Sequence, residues 1–399
     1  MKIKVENYIY IFLASLFIII LLPKPIQMLV ICIIFLLIML KYKKIYIEKK
    51  VFPLFCFACI HVVSIFFNSI NCDSFNRILA AFNTVAIWFI GIFLYSYISK
   101  MAINKKVINK IMFWNLVIFS ALGLVVFTLK FIGNDFSNPI LSKLVTTDWA
   151  NGIKSVRFNC AMEYPNLAVL FYFLCFPFAY EFISKKSSLK KLIFNIISII
   201  PVIAVNSRIG IILGILNSIL LIPEIVSNRK TRNILCLLLM VSISFIFIIK
   251  GDYIVNVVIQ LINSRGDSTS MRSLIYLNSI EKTLDQSPIL GSGIKTMYMG
   301  YPLGSHSTYI GVFYKTGFLG ILLFLIGYYN LFITYLKNRD TNIKRIHLMS
   351  FLCLSVMLAV EDIDGANWIG ILFFVLNSVY FNSLCENSSS NKIKNKEGE

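Results

Sequence analysis

A polar loop runs into an apolar segment in the stretch "PILGSGIKTMYMGYPLGSHSTYIGVFYKTGFLGILLFLI", which covers residues 288–326. Its first half is rich in glycine, and its second half belongs to an apolar run that covers residues 307–336. An α-helix needs about 20 mostly apolar residues to cross the hydrocarbon core of a bilayer. The run is therefore long enough to span a membrane, and His306 lies where the loop enters it.

Similar apolar runs recur along the whole chain. Hydrophobic residues make up 58% of the 399 residues, whereas soluble domains are about 45–50% apolar. Twelve runs are predicted to be spans, and they are 7–22, 27–40, 51–68, 77–99, 111–132, 164–183, 192–205, 209–227, 232–249, 307–336, 346–360 and 366–384. We predict an all-α polytopic membrane protein, with residues 1–384 as one domain and residues 385–399 as a disordered cytoplasmic tail.

The basic residues follow this predicted topology. The formal net charge is +19, and a cytoplasmic N-terminus places most Lys and Arg in loops on the cytoplasmic side, as membrane proteins prefer. We therefore expect no nucleic-acid partner, and we expect both termini in the cytoplasm. This topology requires residues 192–227 to form two short helices with a turn at the outer surface, because a single span would strand Arg208 in hydrocarbon.

Two long loops are predicted on the outer side, at residues 133–163 and 250–306, and the second joins spans nine and ten. Within it, the segment that begins at Ser270 and ends before Pro288 is typical of a helix, because serine can cap a helix start and proline often follows a helix end. We expect the two loops to form a lid over a site. Cys72 and Cys160 both lie in outer loops, but spacing alone predicts no disulfide.

Strongly polar residues outside the cytoplasmic loops gather on the predicted outer side. They are Arg157, Glu163, Arg208, Arg265, Arg272, Lys295, His306, Glu361, Asp362 and Asp364. A guanidinium can bind phosphate oxygens in a bidentate manner, and a histidine suits proton transfer near neutral pH. The set suits a reaction in which a diphosphate leaves and a hydroxyl attacks. Arginines at an outer rim also meet lipid phosphates, so that alternative stays open for each of them.

Other functions remain possible for some of these polar residues. Asp362 and Asp364 have a spacing at which carboxylates can bind Mg²⁺ or Mn²⁺, but we expect contacts to an acceptor sugar or simple solvation instead. A transporter would place ionisable groups at mid-depth along several helices. The interiors of the predicted spans contain few such groups, among them His61, Lys130 and Lys315, and we expect His61 to make a contact between helices.

Four segments in order resemble the superfamily of O-antigen ligases and oligosaccharide repeat-unit polymerases of the bacterial envelope. They are "RFNCAMEYPNLAVLFYF" (157–173), "NSRIGIILGIL" (206–216), "RSLIYLNSIEKTLDQSPILGSGIKT" (272–296) and "SHSTYIGVFYKTGFLGILLFLI" (305–326). They are similar to the family's Arg-spacer-Pro-Asn segment, its Ser-Arg helix start, its Pro-x-x-Gly-x-Gly segment and its histidine segment. Ser307 replaces the Asn that often follows the histidine, which weakens the resemblance to ligases more than to polymerases.

The resemblance implies a GT-C-like glycosyltransferase in the bacterial cytoplasmic membrane, which polymerises oligosaccharides linked to undecaprenyl diphosphate into O-antigen, capsule or exopolysaccharide. Arg208 and Arg272, with Arg157, would bind the diphosphate, and His306 would orient or deprotonate the acceptor hydroxyl, with inversion. The remaining predicted substrate-binding residues are Glu163, Asn166, Arg265, Gly291, Gly293, Lys295, Asp362 and Asp364.

The resemblance also bears on partners and alternatives. We expect no metal or other cofactor, and the expected partners are the lipid-linked oligosaccharide, membrane lipid, a chain-length regulator and a flippase. One alternative function is a ligase that transfers finished glycan to an acceptor such as lipid A core. An alternative of another class is a polysaccharide flippase or other transporter, which would line a cavity at mid-membrane depth with polar groups.

Overall fold

The computed structural model describes residues 4–42, 45–70, 74–134, 136–150, 153–225, 241, 266–337 and 341–396. The helices are α1 (Glu6–Ala14), α2 (Leu16–Leu21), α3 (Lys24–Tyr42), α4 (Phe52–Ser69), α5 (Phe75–Ile98), α6 (Lys105–Phe131), α7 (Pro139–Ser142), α8 (Pro165–Ile183), α9 (Ser188–Ala204), α10 (Arg208–Leu220), α11 (Ile222–Ile225), α12 (Gly266–Gln286), α13 (Thr308–Leu336), α14 (Thr341–Val360) and α15 (Asn367–Lys396), with a 3₁₀ turn at Ile363–Gly365. The strands are β1 (Val145–Ala150), β2 (Ile153–Phe158), β3 (Met297–Tyr298) and β4 (Tyr301–Pro302).

Nine helices within the described ranges are long and apolar enough to cross a membrane. Of the other three predicted runs, 7–22 is divided at Ser15 into α1 and α2, and 192–205 lies in the 17-residue helix α9. The third, 232–249, lies outside the described residues except for residue 241. The prediction of an all-α polytopic membrane protein is confirmed, while the count of twelve spans and the GT-C-like architecture stay predictions.

The chain divides into two compact units. The first consists of Met1–Leu116, Leu170–Phe182 and Ile275–Glu399, and the second of Val117–Val169 and Ile183–Leu274. Each unit is assembled from separate parts of the chain, and the single domain over residues 1–384 stays a prediction.

Helix packing in the first unit depends on close approach. Helix α13 packs against α4 and α14, and α15 packs against α5. A Cβ atom added to Gly91 of α5 would lie 2.2 Å from the ring of Phe374, and one added to Gly327 of α13 would lie 2.5 Å from the side chain of Leu54. Small residues at such crossings let membrane helices gain van der Waals contact, which replaces the hydrophobic driving force that lipid removes.

The second unit contains α9, α10 and a β-hairpin. Helix α9 ends at Ala204 and α10 begins at Arg208, so the predicted division of the run 192–227 into two helices is confirmed. Strands β1 and β2 pair in antiparallel register within residues 133–163, the loop that is predicted to lie on the outer side. The hairpin ends at the buried residue Phe158, whose ring packs against Phe119 at a centroid distance of 5.5 Å.

Helix α13 is interrupted at Gly317, which has φ 61° and ψ −161°. The interruption leaves some backbone groups of α13 without partners in the helix, and the preceding loop supplies hydrogen-bond partners for them. The N–H of Ser292 donates to Tyr314 O at 2.7 Å, and the N–H of Phe318 donates to Pro288 O at 2.8 Å. Backbone groups at membrane depth must be satisfied within the protein, so the loop at residues 288–293 completes the broken helix.

Two predicted boundaries differ from the structure. The helix expected from Ser270 begins four residues earlier, at Gly266, and ends at Gln286 before Pro288. The last helix continues to Lys396, so most of the segment that the sequence predicts as a disordered tail is helical. The helical extension is polar, and its composition alone had indicated disorder.

Candidate active site

His306 lies in the turn that leads into α13. Its φ angle of 61° places it in the left-handed region, which costs a residue other than glycine roughly 1–3 kcal/mol unless its surroundings impose it. Its carbonyl oxygen accepts a hydrogen bond from Tyr276 Oη at 2.5 Å. The next residue, Ser307, caps α13, because its Oγ accepts the Ile310 N–H at 3.3 Å. The half-buried histidine is thus presented at a helix start.

The acidic segment that follows α14 packs against the same end of α13. Thr308 donates to Glu361 O from its N–H at 3.0 Å and from its Oγ1 at 2.8 Å. Lys295 Nζ lies 2.6 Å from Asp362 Oδ2, and a Cβ atom on Gly311 would lie 3.7 Å from that same oxygen. The structure therefore brings Lys295 and Asp362 to the end of α13 that begins next to His306.

The charge state of Asp362 follows from this arrangement. Burial by itself would raise the pKa of Asp362, but the positive charges of Lys295 and Lys315 outweigh burial and lower the pKa below its ordinary value. Asp362 is therefore an ionised carboxylate at neutral pH, and Lys295 lies in direct contact with it.

Asp364 is occupied by protein partners on both oxygens. Trp88 Nε1 donates to its Oδ1 at 2.8 Å, and the ammonium of Lys315 pairs with its Oδ2. The side chains of Lys315 and Asp364 are 2% and 5% exposed. The Asp-x-Asp pattern thus serves two lysine ion pairs, which favours a structural role for Asp364; its predicted role in sugar binding stays a prediction.

The two glycines of the predicted Gly-x-Gly segment permit contact with protein backbone. Gly291 and Gly293 have φ angles of 73° and 65°, and a Cβ atom on Gly293 would lie 2.6 Å from the backbone of Ser64. Their carbonyls meet α4, where Ser64 Oγ donates to Gly291 O and His61 Nε2 lies 3.1 Å from Gly293 O. His61 of α4 thus contacts the backbone of this loop, where a contact between helices was expected, and a substrate contact by either glycine stays a prediction.

Arg208 is the first residue of α10 in the second unit. Asn206 in the preceding turn has a φ of 54°, and Ser207 Oγ accepts the Gly210 N–H at 3.4 Å as a helix cap. Within the described part of the chain, Nη2 of Arg208 is buried and has no hydrogen-bond partner. A guanidinium beside the unsatisfied amides of a helix start is suited to binding an anion.

Arg157 supports the turn that carries Arg208. It is 8% exposed, its Nε donates to Val205 O at 3.1 Å, and its Nη2 donates to Asn166 Oδ1 at 3.0 Å. Val205 directly precedes the turn, and Asn166 lies in the first turn of α8. Arg157 therefore ties the start of α8 to the turn before α10, and its direct contact with a diphosphate stays a prediction.

The remaining predicted residues are placed as follows. Arg272 lies in α12, four residues before Tyr276 and hence on the same helix face. Glu163 lies in the turn before α8, while Arg265 and residues 250–264 of the proposed lid lie outside the described residues. Participation of Arg208, Arg272 and His306 in one site stays a prediction.

Some partners in these arrangements carry no signal in the sequence. Tyr276 is one of 19 tyrosines, and nothing local marks it as a partner of His306. The sequence also leaves His347 without a role, yet the structure buries it 3.2 Å from Glu181, which pairs with Lys105 at 2.8 Å. Lys315 is the residue of this group whose pairing the sequence could have indicated, since a lysine inside an apolar span requires a partner.

These features define a multi-pass membrane protein with an arginine and a histidine at the starts of two helices. The family model described as O-antigen ligase matches residues 193–325, a segment that contains Arg208, Arg272 and His306. The match covers about a third of the chain and supports the superfamily that the four motifs indicate, the O-antigen ligases and polymerases. A search of curated proteins found no match to the chain.

Proposed function

We propose that the chain polymerises oligosaccharide repeat units linked to undecaprenyl diphosphate at the outer face of the bacterial cytoplasmic membrane. The observation that carries this proposal is His306 in a left-handed turn at the start of α13, inside the segment that matches the ligase family. Strained residues concentrate at active sites, because surrounding contacts hold them where the chemistry needs them. The resemblance to the family supports the proposed substrate class, and both termini would face the cytoplasm.

The arginines would bind the diphosphate of the donor. Arg208 offers a buried Nη2 with no hydrogen-bond partner among the described residues, at the positive end of α10. Arg272 would supply a second guanidinium from α12. Guanidinium groups aimed at oxygens that gain negative charge stabilise the transition state more than the ground state. Both arginines would therefore lower the barrier to departure of the lipid diphosphate.

His306 would act on the acceptor sugar. Its imidazole would accept the proton of the acceptor hydroxyl as that oxygen forms a bond to the anomeric carbon of the donor. The bond between the anomeric carbon and the diphosphate oxygen breaks in the same step, with inversion, and the electron pair leaves with the diphosphate. Lys295 and Asp362, at the same end of α13, would contact the incoming sugar.

A ligase is the second candidate, and the description of the matching family favours it. A ligase would use the same donor and the same chemistry and would differ in the acceptor. Ser307 does not separate the two functions on structural grounds, since it caps α13 and an asparagine caps helices equally well. The distinction therefore needs an experiment on the glycan products.

The test is to delete the gene for this protein in its host and to separate the lipid-linked and surface glycans by size. A polymerase predicts accumulation of single repeat units on the lipid and loss of the long-chain ladder. Full-length chains that remain on the lipid carrier would instead identify a ligase. Repeat units trapped on the cytoplasmic face would identify a transporter and contradict the proposed glycosyl transfer.

A further inference from the structure

We propose that Tyr276 is a positioning residue for His306, because its hydroxyl fixes the backbone turn that carries the histidine. The inference rests on the proposed role of His306 in glycosyl transfer. Tyr276 contacts the backbone of this turn, because its phenol donates a hydrogen bond to the carbonyl oxygen of His306 at 2.5 Å.

The turn needs such a support because of its conformation. His306 has a φ of 61°, and Gly304, two residues earlier, has a φ of 68°. A side chain other than glycine adopts the left-handed region only where neighbouring groups impose it. The backbone angles of His306 set the direction of its Cα–Cβ bond and restrict its side-chain rotamers, so the contact that fixes those angles also restricts where the imidazole can lie.

Helix α12 holds this turn at two points. Besides the bond from Tyr276, Ser279 Oγ accepts the N–H of Gly304 at 2.8 Å. Tyr276 and Ser279 are three residues apart and hence neighbours on one helix face, and Ser279 is fully buried. One face of α12 therefore forms hydrogen bonds to the turn on both sides of Ser305.

The tyrosine ring is itself held by packing. Ile275, Leu303 and Tyr314 form a buried cluster, and Tyr276 and Tyr298 pack against it. A hydroxyl on a ring fixed by apolar contacts is preorganised, and forming its hydrogen bond costs little conformational entropy. On the other side of the turn, the first residue of α13 donates a hydrogen bond to the carbonyl of Glu361. The turn is therefore supported from two sides.

The test compares Tyr276→Phe with the matched control Tyr298→Phe, which removes a hydroxyl from a ring packed on the same cluster. Each purified full-length protein in lipid nanodiscs would receive lipid-linked repeat units extracted from the deletion strain, and kcat and KM would be measured. We expect Tyr276→Phe to lower kcat about 10- to 100-fold with KM within about twofold, since misaligned catalytic groups cost rate rather than binding. The control variant should match the wild type.

Three outcomes decide the inference. Wild-type kcat in Tyr276→Phe would overturn it, as would a rise in KM of the same size as the loss in kcat, or an equal loss in Tyr298→Phe. Ser279→Ala provides a second variant, and it should show the same selective loss of kcat.

The variant His306→Ala distinguishes a failure of this inference from a failure of the proposed function. Full activity in His306→Ala would overturn the proposed role of the histidine, whatever Tyr276→Phe does. An inactive His306→Ala together with a fully active Tyr276→Phe would overturn only the positioning role. Monodisperse elution of every variant shows that loss of the fold does not explain either result.

Discussion

Removal of Lys315 should destabilise the protein strongly, because Asp364 would remain buried without its cation. The Lys315 and Asp364 side chains are 2% and 5% exposed, so after the substitution the protein interior would hold the carboxylate away from solvating water. Removal of one partner from a buried ion pair costs about 3–5 kcal/mol. The hydrogen bond from Trp88 to Oδ1 offsets part of this cost, so we expect Lys315→Met to lie near the lower end of that range.

The assay is denaturant unfolding of the purified protein in detergent at neutral pH. Lys337→Met is the matched control, since Lys337 is exposed just beyond the end of α13, and it should change stability by less than about 0.5 kcal/mol. The double variant Lys315→Met/Asp364→Asn removes both charges and should recover most of the loss. A Lys315→Met protein as stable as the wild type, or a double variant no more stable than the single one, would refute the ion-pair account.

Three further predictions concern backbone space, the Arg208 turn and pH. Gly293→Ala should lower the yield of folded protein, because its Cβ atom would meet backbone, whereas Gly300→Ala, also at positive φ but with open space around it, should be tolerated; equal yields would contradict this. Arg157→Lys should lower glycan transfer about tenfold, because an ammonium cannot reproduce both hydrogen bonds of a guanidinium; wild-type activity would show that the turn needs no such tie. The lowered pKa of Asp362 means that its pair with Lys295 stabilises the fold above pH 3.8 and is lost as pH falls through the lower folded value, so melting curves of Asp362→Asn should show a weaker acid dependence than those of the wild type.

Much of the fold follows from local composition. Apolar runs predict the spans, because a helix pairs its own backbone polar groups and its apolar side chains can then face lipid. The division near Arg208 was predictable for a related reason, since a single helix would have placed a guanidinium in hydrocarbon. The interruption at Gly317 was not, because the helix is completed by hydrogen bonds from residues 288–293, and no local pattern encodes those partners.

The sequence supplies candidates for the reacting residues, and it gives no sign of the contacts that support them. The motifs select Arg208, Arg272 and His306 as candidates, because fixed cations suit a leaving diphosphate and a base suits an attacking hydroxyl; their roles stay predictions. The support from Tyr276 and the pairing of Asp364 with Lys315 join residues 30 and 49 positions apart in the chain. Such pairs depend on how helices pack, and tertiary packing leaves no periodic signal in the sequence.

The measurement that tests glycosyl transfer through His306 most directly is the size distribution of lipid-linked glycans in a host that carries His306→Ala in place of the wild-type protein. Immunoblots of isolated membranes would confirm equal amounts of both proteins. The proposed mechanism predicts single repeat units on the lipid and no long-chain ladder. A ladder indistinguishable from the wild type, at equal protein level, would contradict it.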